Sequence, residues 1–258
     1  MITLTEPTAT ATATATATGE GDDRRRRTGP KARNKWLTGS IEHTSEQVIA
    51  DVFDQAESRD PEHGRTWVML LDGARHQLDL VRAQAVRRGI DLHILIDFIH
   101  VIEYVWKAAW CFHDSGDPAA ERWVAAHGVK ILAGRSGEVV DVLERQAVDA
   151  GLTAGQRKGI DSCIGYLRAK QEFLGYDTAL EAGFPIATGS IEGACRHLIG
   201  DRLDITGARW GLAGAEAILK LRAVISNGDF DDYFHFHTVQ EHKRVHQARY
   251  QDGFTLGA

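Results

Sequence analysis

The sequence predicts a helix-rich α/β fold built on a single βαβ unit, and three observations carry that prediction. Trp67-Val68-Met69-Leu70-Leu71 and Leu92-His93-Ile94-Leu95-Ile96 are short apolar runs, each stopped by an aspartate, Asp72 or Asp97. Runs of that length without polar alternation are the pattern of strands covered on both faces. Between them, residues 74–88 read as a helix with Leu78, Val81 and Ala85 turned inward and Gly89 closing it. Two such strands around a helix join as parallel neighbours through a right-handed crossover. Beyond Asp97 the chain reads as helix almost throughout.

Taken in order, residues 1–40 read as a disordered, low-complexity segment and basic linker. Ala9 to Thr18 alternates Ala and Thr, and a stretch with so little to bury does not fold by itself. Ser45 is placed to open a helix whose stripe is Val48, Ile49, Val52, Phe53 and Ala56, and Arg59-Asp60-Pro61 ends it. After the βαβ unit, helices are expected over 98–112, 117–133, 136–150 and 153–173, with glycine-containing breaks between them. Trp106, Trp110 and, later, Trp210 read as core rather than as stacking groups. Pro185 opens a loop, Thr188-Gly189-Ser190 supplies capping chemistry, and a helix starts near Ile191. Two further helices are expected at 212–226 and 229–249. A two-stranded sheet is small, since sheets usually have about 4–6 strands. Either the helices supply the core or strands are missing.

Composition bounds the class. The chain has 258 residues, 43% apolar and 26% charged, as in an ordinary globular protein. No apolar run approaches the ~20 residues of a membrane span, so a membrane partner is not expected. Cys111, Cys163 and Cys195 lie far apart with no CxxC pairing, which suits buried thiols in a reducing cytoplasm. The net charge of −6 argues against nucleic acid, but the cations cluster. Arg24 to Arg27 form a run followed by Lys31, Arg33 and Lys35, and Lys243, Arg244 and Arg249 accompany several histidines near the C-terminus.

Asp72 and Asp97 fall at the C-terminal ends of the two strands, the edge where open α/β sheets bind ligands. With Glu192 from a later helix, they make a set of carboxylates of the kind that holds divalent cations for phosphoryl transfer. Each also has an ordinary structural reading: Asp72 as a turn residue before Gly73, Asp97 as a helix cap, Glu192 as a first-turn charge. His100 follows Asp97 at the i,i+3 spacing of a pair in contact, which would fix its tautomer. Arg196, His197, Arg202 and Arg209 are candidate partners of DNA phosphates. His242 and His246 have the i,i+4 spacing of a helical metal pair, with no third ligand evident.

Longer words are more specific. Asp97-Phe98-Ile99-His100-Val101-Ile102-Glu103-Tyr104-Val105-Trp106-Lys107-Ala108-Ala109-Trp110 resembles a hallmark stretch of ISKra-type insertion-sequence transposases. So do Pro185-Ile186-Ala187-Thr188-Gly189-Ser190-Ile191-Glu192-Gly193-Ala194-Cys195-Arg196-His197 and Asp204-Ile205-Thr206-Gly207-Ala208-Arg209-Trp210. The resemblance runs from about Gly29 to about Tyr250. It implies a DDE enzyme with an RNase H-like core that cuts and joins transposon DNA ends with Mg²⁺, in a two-metal site where the triad is complete. On that mapping Asp72 is the second catalytic Asp and Glu192 the catalytic Glu, both metal ligands, while Asp97 and His100 form an accessory motif.

The chain then divides into 41–100, part of the RNase H-like core; 101–183, an all-helical insertion; 184–250, the C-terminal part of the core; and a tail, 251–258. The resemblance also implies a three-strand meander ahead of Asp72, ending in a first catalytic Asp. No strand pattern is visible there, and Asp51 and Asp54 lie on the first helix. The expectation is therefore an N-terminally truncated, inactive or weakly active transposase. A rival mapping takes Asp72, Asp97 and Glu192 as a whole triad, and a second class of function is a non-catalytic protein that binds DNA or transposase. The expected partners are DNA and further copies, or the full-length enzyme, in the cytoplasm.

Overall fold

The computed structural model describes residues 2–5, 33–205, 207 and 209–247; for residues 5, 190–192 and 247 it describes the backbone alone. The chain is α/β and helix-rich. It divides into two compact units, one of residues 1–14 and 45–192, the other of residues 15–44 and 193–258.

The first unit is built on a three-stranded sheet of β1 (Ile2–Thr5), β2 (Thr66–Leu71) and β3 (Leu92–Ile96), in that spatial order. The strands β2 and β3 are parallel, with Leu71 opposite Ile96, and α2 (Arg75–Arg88) makes the crossover between them. Leu78, Val81 and Ala85 of α2 are buried as the periodicity required, and Gly89 ends the helix at φ 66°. The central strand alternates its side chains between two apolar layers. Trp67 and Met69 meet Phe53 and Ala56 of α1 (Ser45–Glu57) and Val81 and Ala85 of α2. Val68 and Leu70 meet Leu95, Ala179, Phe184 and Ile186. At the sheet edge, β3 is less covered than its sequence suggested, and His93 is exposed.

β1 corrects the sequence reading. Ile2–Thr5 was expected to be disordered with the rest of residues 1–40, yet it pairs antiparallel with β2, Thr3 opposite Val68. Ile-Thr-Leu-Thr is a β-branched, alternating tetrapeptide too short to stand out beside the Ala/Thr tract, and it packs Ile2 and Leu4 on the layer around Phe53 and Trp67. A three-strand meander ahead of β2 is not present among the described residues. The Ala9–Thr18 tract, the Arg24–Arg27 run with Lys31, and the tail beyond 247 lie outside the described residues.

The remainder of the first unit is helical: α3 (Phe98–Ala109), α4 (Pro118–Leu132), α5 (Ser136–Asp149), α6 (Lys158–Lys170) with a 3₁₀ turn at Gln171–Phe173, and α7 (Tyr176–Glu181). Their core gathers Val101 and Val105 of α3, Ile131, Leu143 and Ile160 around Ile96 at the end of β3. The α3–α6 seam depends on Gly159. A Cβ there would lie 2.1 Å from the Lys107 carbonyl oxygen, so only glycine permits this approach. Helix α6 starts at Lys158 rather than 153, and α7 had no expectation; its six residues bury Tyr176 and Ala179 but are too few to show a period. Cys163 is buried as expected, but Cys111 is only half-buried and Cys195 is exposed. Trp110, expected in the core, is 47% exposed, because it follows the last turn of α3 and stacks on Trp106 instead.

Helix α8 (Gly189–Cys195) begins where Thr188-Gly189-Ser190 placed it, and the first unit ends within it. The second unit continues α8 as a π-helical turn, Arg196–Gly200, and adds α9 (Leu212–Asn227) and α10 (Phe230–His242), the latter extended by another π turn, Lys243–Gln247. Its apolar core is small: Leu198, Leu219 and Ala223 with Leu37 against them. Polar contacts supplement it. The Asn227 side chain accepts from the Leu37 amide at 2.7 Å and donates to the Leu37 carbonyl at 3.1 Å. Buried Glu216 accepts from the Ser40 hydroxyl at 2.7 Å and the Ile41 amide at 2.8 Å, with Lys220 Nζ at 3.1 Å. Burial alone would raise the Glu216 carboxyl, but those donors outweigh it and bring the pKa down to about 2. No helix among the described residues is long and apolar enough to cross a membrane.

Candidate functional site

The two aspartates stand side by side. Because Leu71 faces Ile96 across a parallel pair, Asp72 and Asp97 leave adjacent strands at the same level, and the Asp97 amide donates to the Leu71 carbonyl at 2.7 Å. Their side chains then differ. Asp72 is exposed, and its Oδ1 accepts from the Ala74 amide at 2.9 Å, which turns the chain at Gly73 (φ 91°) into α2. That is the only hydrogen bond its carboxylate makes among the described residues.

Asp97 is buried and fully engaged. Oδ1 accepts from the Ile99 amide at 2.8 Å, capping α3. Oδ2 accepts from the Thr188 amide at 2.9 Å and from the Thr188 hydroxyl. The Phe98 amide donates to the Ile186 carbonyl at 2.9 Å beside them. Asp97 thus fastens the 185–188 loop to the end of β3, and in doing so sets where α8 begins. Thr188, read from the sequence as a cap for α8, instead donates its amide and hydroxyl to Asp97, 91 residues away in sequence. His100 does not pair with Asp97; its Nδ1 lies 3.3 Å from Glu103 Oε2. The Asp97 carboxylate is occupied by backbone and Thr188 donors, which removes the i,i+3 contact the spacing allowed.

A tyrosine pair absent from the sequence reading braces this edge. Tyr166 of α6 donates its hydroxyl to the Asp72 carbonyl at 2.9 Å, and Tyr176 donates to the Ile96 carbonyl at 2.9 Å. The Tyr166 ring stacks on Tyr104 with centroids 3.9 Å apart, and Lys107 Nζ lies 4.0 Å from the Tyr104 ring centroid. Burial, then the nearby Tyr104, Asp72, Glu103 and Asp97, push the Tyr166 phenol above its ordinary range, so it remains a donor at physiological pH. Gly73 is the counterpart: a Cβ there would come within 2.9 Å of the Tyr166 oxygen. Nothing in the spacing of Tyr104 and Tyr166 separated them from other half-buried helix aromatics.

Glu192 lies on α8, which the Asp97–Thr188 tie anchors at its start; its side chain is outside what the structure describes. Among the described residues no group of three His, Cys, Asp or Glu side chains is placed to hold a metal ion, and His242 and His246, 5.0 Å apart by ring centroid, gather no further ligand. Comparison of the chain with protein-family models, curated proteins and solved structures finds no match.

The four candidate DNA contacts fall in the second unit, and all are exposed. His197 Nδ1 is 2.8 Å from Asp201 Oδ2, and its carbonyl accepts from Arg222 Nε at 2.9 Å. Arg202 lies over the Trp210 ring at 5.5 Å, which makes that half-buried indole a platform for a guanidinium rather than core. Arg196 and Arg209 extend from the π turn and from the segment before α9.

Proposed function

We propose that the chain acts on DNA in the manner of a DDE transposase, with Asp72 and Glu192 as the carboxylates of a metal-dependent phosphoryl-transfer site at the carboxyl edge of β2. The observation that carries this reading is the contrast between the two edge aspartates. Asp72 is exposed with one local hydrogen bond, whereas both oxygens of Asp97 are spent on the backbone and Thr188. Mg²⁺ needs few protein carboxylates and keeps water and phosphate oxygens as its other ligands, so an available carboxylate at a strand end suits it. When bound, the metal would neutralise charge on the transferring phosphate. This chain's own residues hold the site in shape: Tyr166 fixes the Asp72 main chain, and Asp97 fixes the start of the helix that bears Glu192.

With Asp97 committed to that structural task, the described residues offer no third carboxylate beside Asp72 and Glu192, and strand transfer by this chain alone should be slight. The test is an Mg²⁺-dependent nicking and strand-transfer assay on duplex DNA. Little or no product is expected. Robust transfer abolished both by Asp72→Ala and by Asp97→Asn, with folding intact, would overturn this assignment and favour Asp72, Asp97 and Glu192 as a full triad.

A second reading, a non-catalytic DNA-binding protein, is favoured by the exposure of Arg196, His197, Arg202 and Arg209 in one short stretch. It expects salt-dependent DNA binding that survives Glu192→Ala and weakens with Arg196→Ala and Arg209→Ala.

A further inference from the structure

Lys170 is the last residue of α6, half-buried, and its stem reaches the turn that follows β2. Its Cε lies 3.5 Å from the point a Cβ on Gly73 would occupy. The ammonium, one bond further, therefore stands at the carboxyl edge of the sheet, beside the turn that Asp72 makes. A second cation, Arg75, is exposed and opens α2 two residues after Gly73.

Neither cation is spent on the fold. Among the described residues no carboxylate lies within 4.0 Å of either, Asp72 and Asp79 included. By contrast, Arg82, Arg88, Arg135, Arg157 and Arg168 of the same unit each have a carboxylate partner. The acids closest at hand are already engaged: Glu172 with Arg82 at 2.9 Å, and Glu103 with His100 at 3.3 Å. Arg75 stands in the first turn of α2, where the helix dipole disfavours a cation, so an anion arriving there would offset a local cost.

An available carboxylate flanked by two available cations suits a ligand that brings its own phosphate oxygens. Mg²⁺ on Asp72 would take some of them, and the cations would take others. Cations from two elements suit a continuous backbone, which offers each its own phosphate. We infer that Lys170 and Arg75 seat the phosphate backbone of duplex DNA against the Asp72 edge, without regard to base sequence. This rests on the reading of Asp72 as a metal ligand acting on DNA, and it gives the first unit a DNA contact of its own.

The experiment is fluorescence anisotropy on the full chain with a labelled duplex of ~20 base pairs, in EDTA, over about 50 to 200 mM salt. Lys170→Gln and Arg75→Gln should each lower the slope of log K against log salt by about 0.9 and the affinity at 0.1 M salt by about fivefold. Lys170→Arg should keep both. Arg168→Gln, which removes a neighbouring cation already paired with Glu144, should leave the slope unchanged. A slope indifferent to Lys170→Gln, an equal fall with Arg168→Gln, or a wild type that binds no duplex at the lowest salt would each overturn the inference. Because the assay contains no metal, its outcome is separate from that of the metal reading. Mn²⁺ binding that survives Asp72→Asn sinks that reading alone, and Mn²⁺ binding lost in Asp72→Asn beside an unchanged Lys170→Gln slope sinks this one alone.

Discussion

In the first unit the helices are held by apolar side chains; in the second, a buried glutamate and an asparagine share the task. Ile96, Val101, Val105, Leu143, Ile160 and Leu167 of the first unit are at most 1% exposed and pack in one continuous core. The second unit buries Leu198, Leu219 and Ala223 and then relies on Glu216 and Asn227 to hold residues 37–41. Apolar packing is indifferent to pH, whereas a buried carboxylate with charged and neutral donors is not. The difference assigns the two units different vulnerabilities, and it gives the candidate site its rigidity: the carboxyl edge of β2 and β3 stands on the apolar unit.

The largest expected effect is at the α3–α6 seam. Gly159→Ala forces a methyl group against the Lys107 carbonyl and should cost about 3 kcal/mol, read as a drop in the denaturant midpoint of the first unit. Amide exchange within α9 should be unchanged. Next, Glu216→Ala should cost about 2 kcal/mol by leaving the Ser40, Ile41 and Lys220 donors without their acceptor, and exchange should rise over 37–44 and α9 only.

The same residue makes the second unit acid-sensitive. Its folded pKa is depressed, so its stabilisation is fully present above the unfolded value of ~4.3 and is lost as pH falls through about 2. An acid titration of the wild type should loosen the second unit in that window, and Glu216→Gln should remove the pH dependence. Stability should also separate the two aspartates. Asp97→Ala loses a helix cap and the Thr188 tie, together about 2 kcal/mol. Exposed Asp72→Ala should stay within about 0.5 kcal/mol of the wild type in thermal unfolding.

The βαβ unit was legible because its signals are local. Trp67–Leu71 is continuously apolar, and Leu78, Val81 and Ala85 are spaced for one helix face. Asp72 and Asp97 were legible as strand-end residues for the same reason. What separated them was not: Asp97 is tied to Thr188 across 91 residues, and no local pattern reports a contact of that range. The Tyr166–Asp72 hydrogen bond and the Gly159–Lys107 approach are likewise long-range and involve residue types that helices carry routinely. β1 was missed because four residues of a strand carry too little pattern without their partner β2.

Asp72 is the exposed, available carboxylate of the edge, and Asp97 is the one committed to the backbone and Thr188. Mn²⁺ titration followed by electron paramagnetic resonance, on the wild type and on Asp72→Asn, Asp97→Asn and Glu192→Gln, tests this most directly. Metal bound by the wild type should be lost in Asp72→Asn and Glu192→Gln and kept in Asp97→Asn chains that remain folded. Binding unchanged by Asp72→Asn, or lost equally with folded Asp97→Asn, would contradict it.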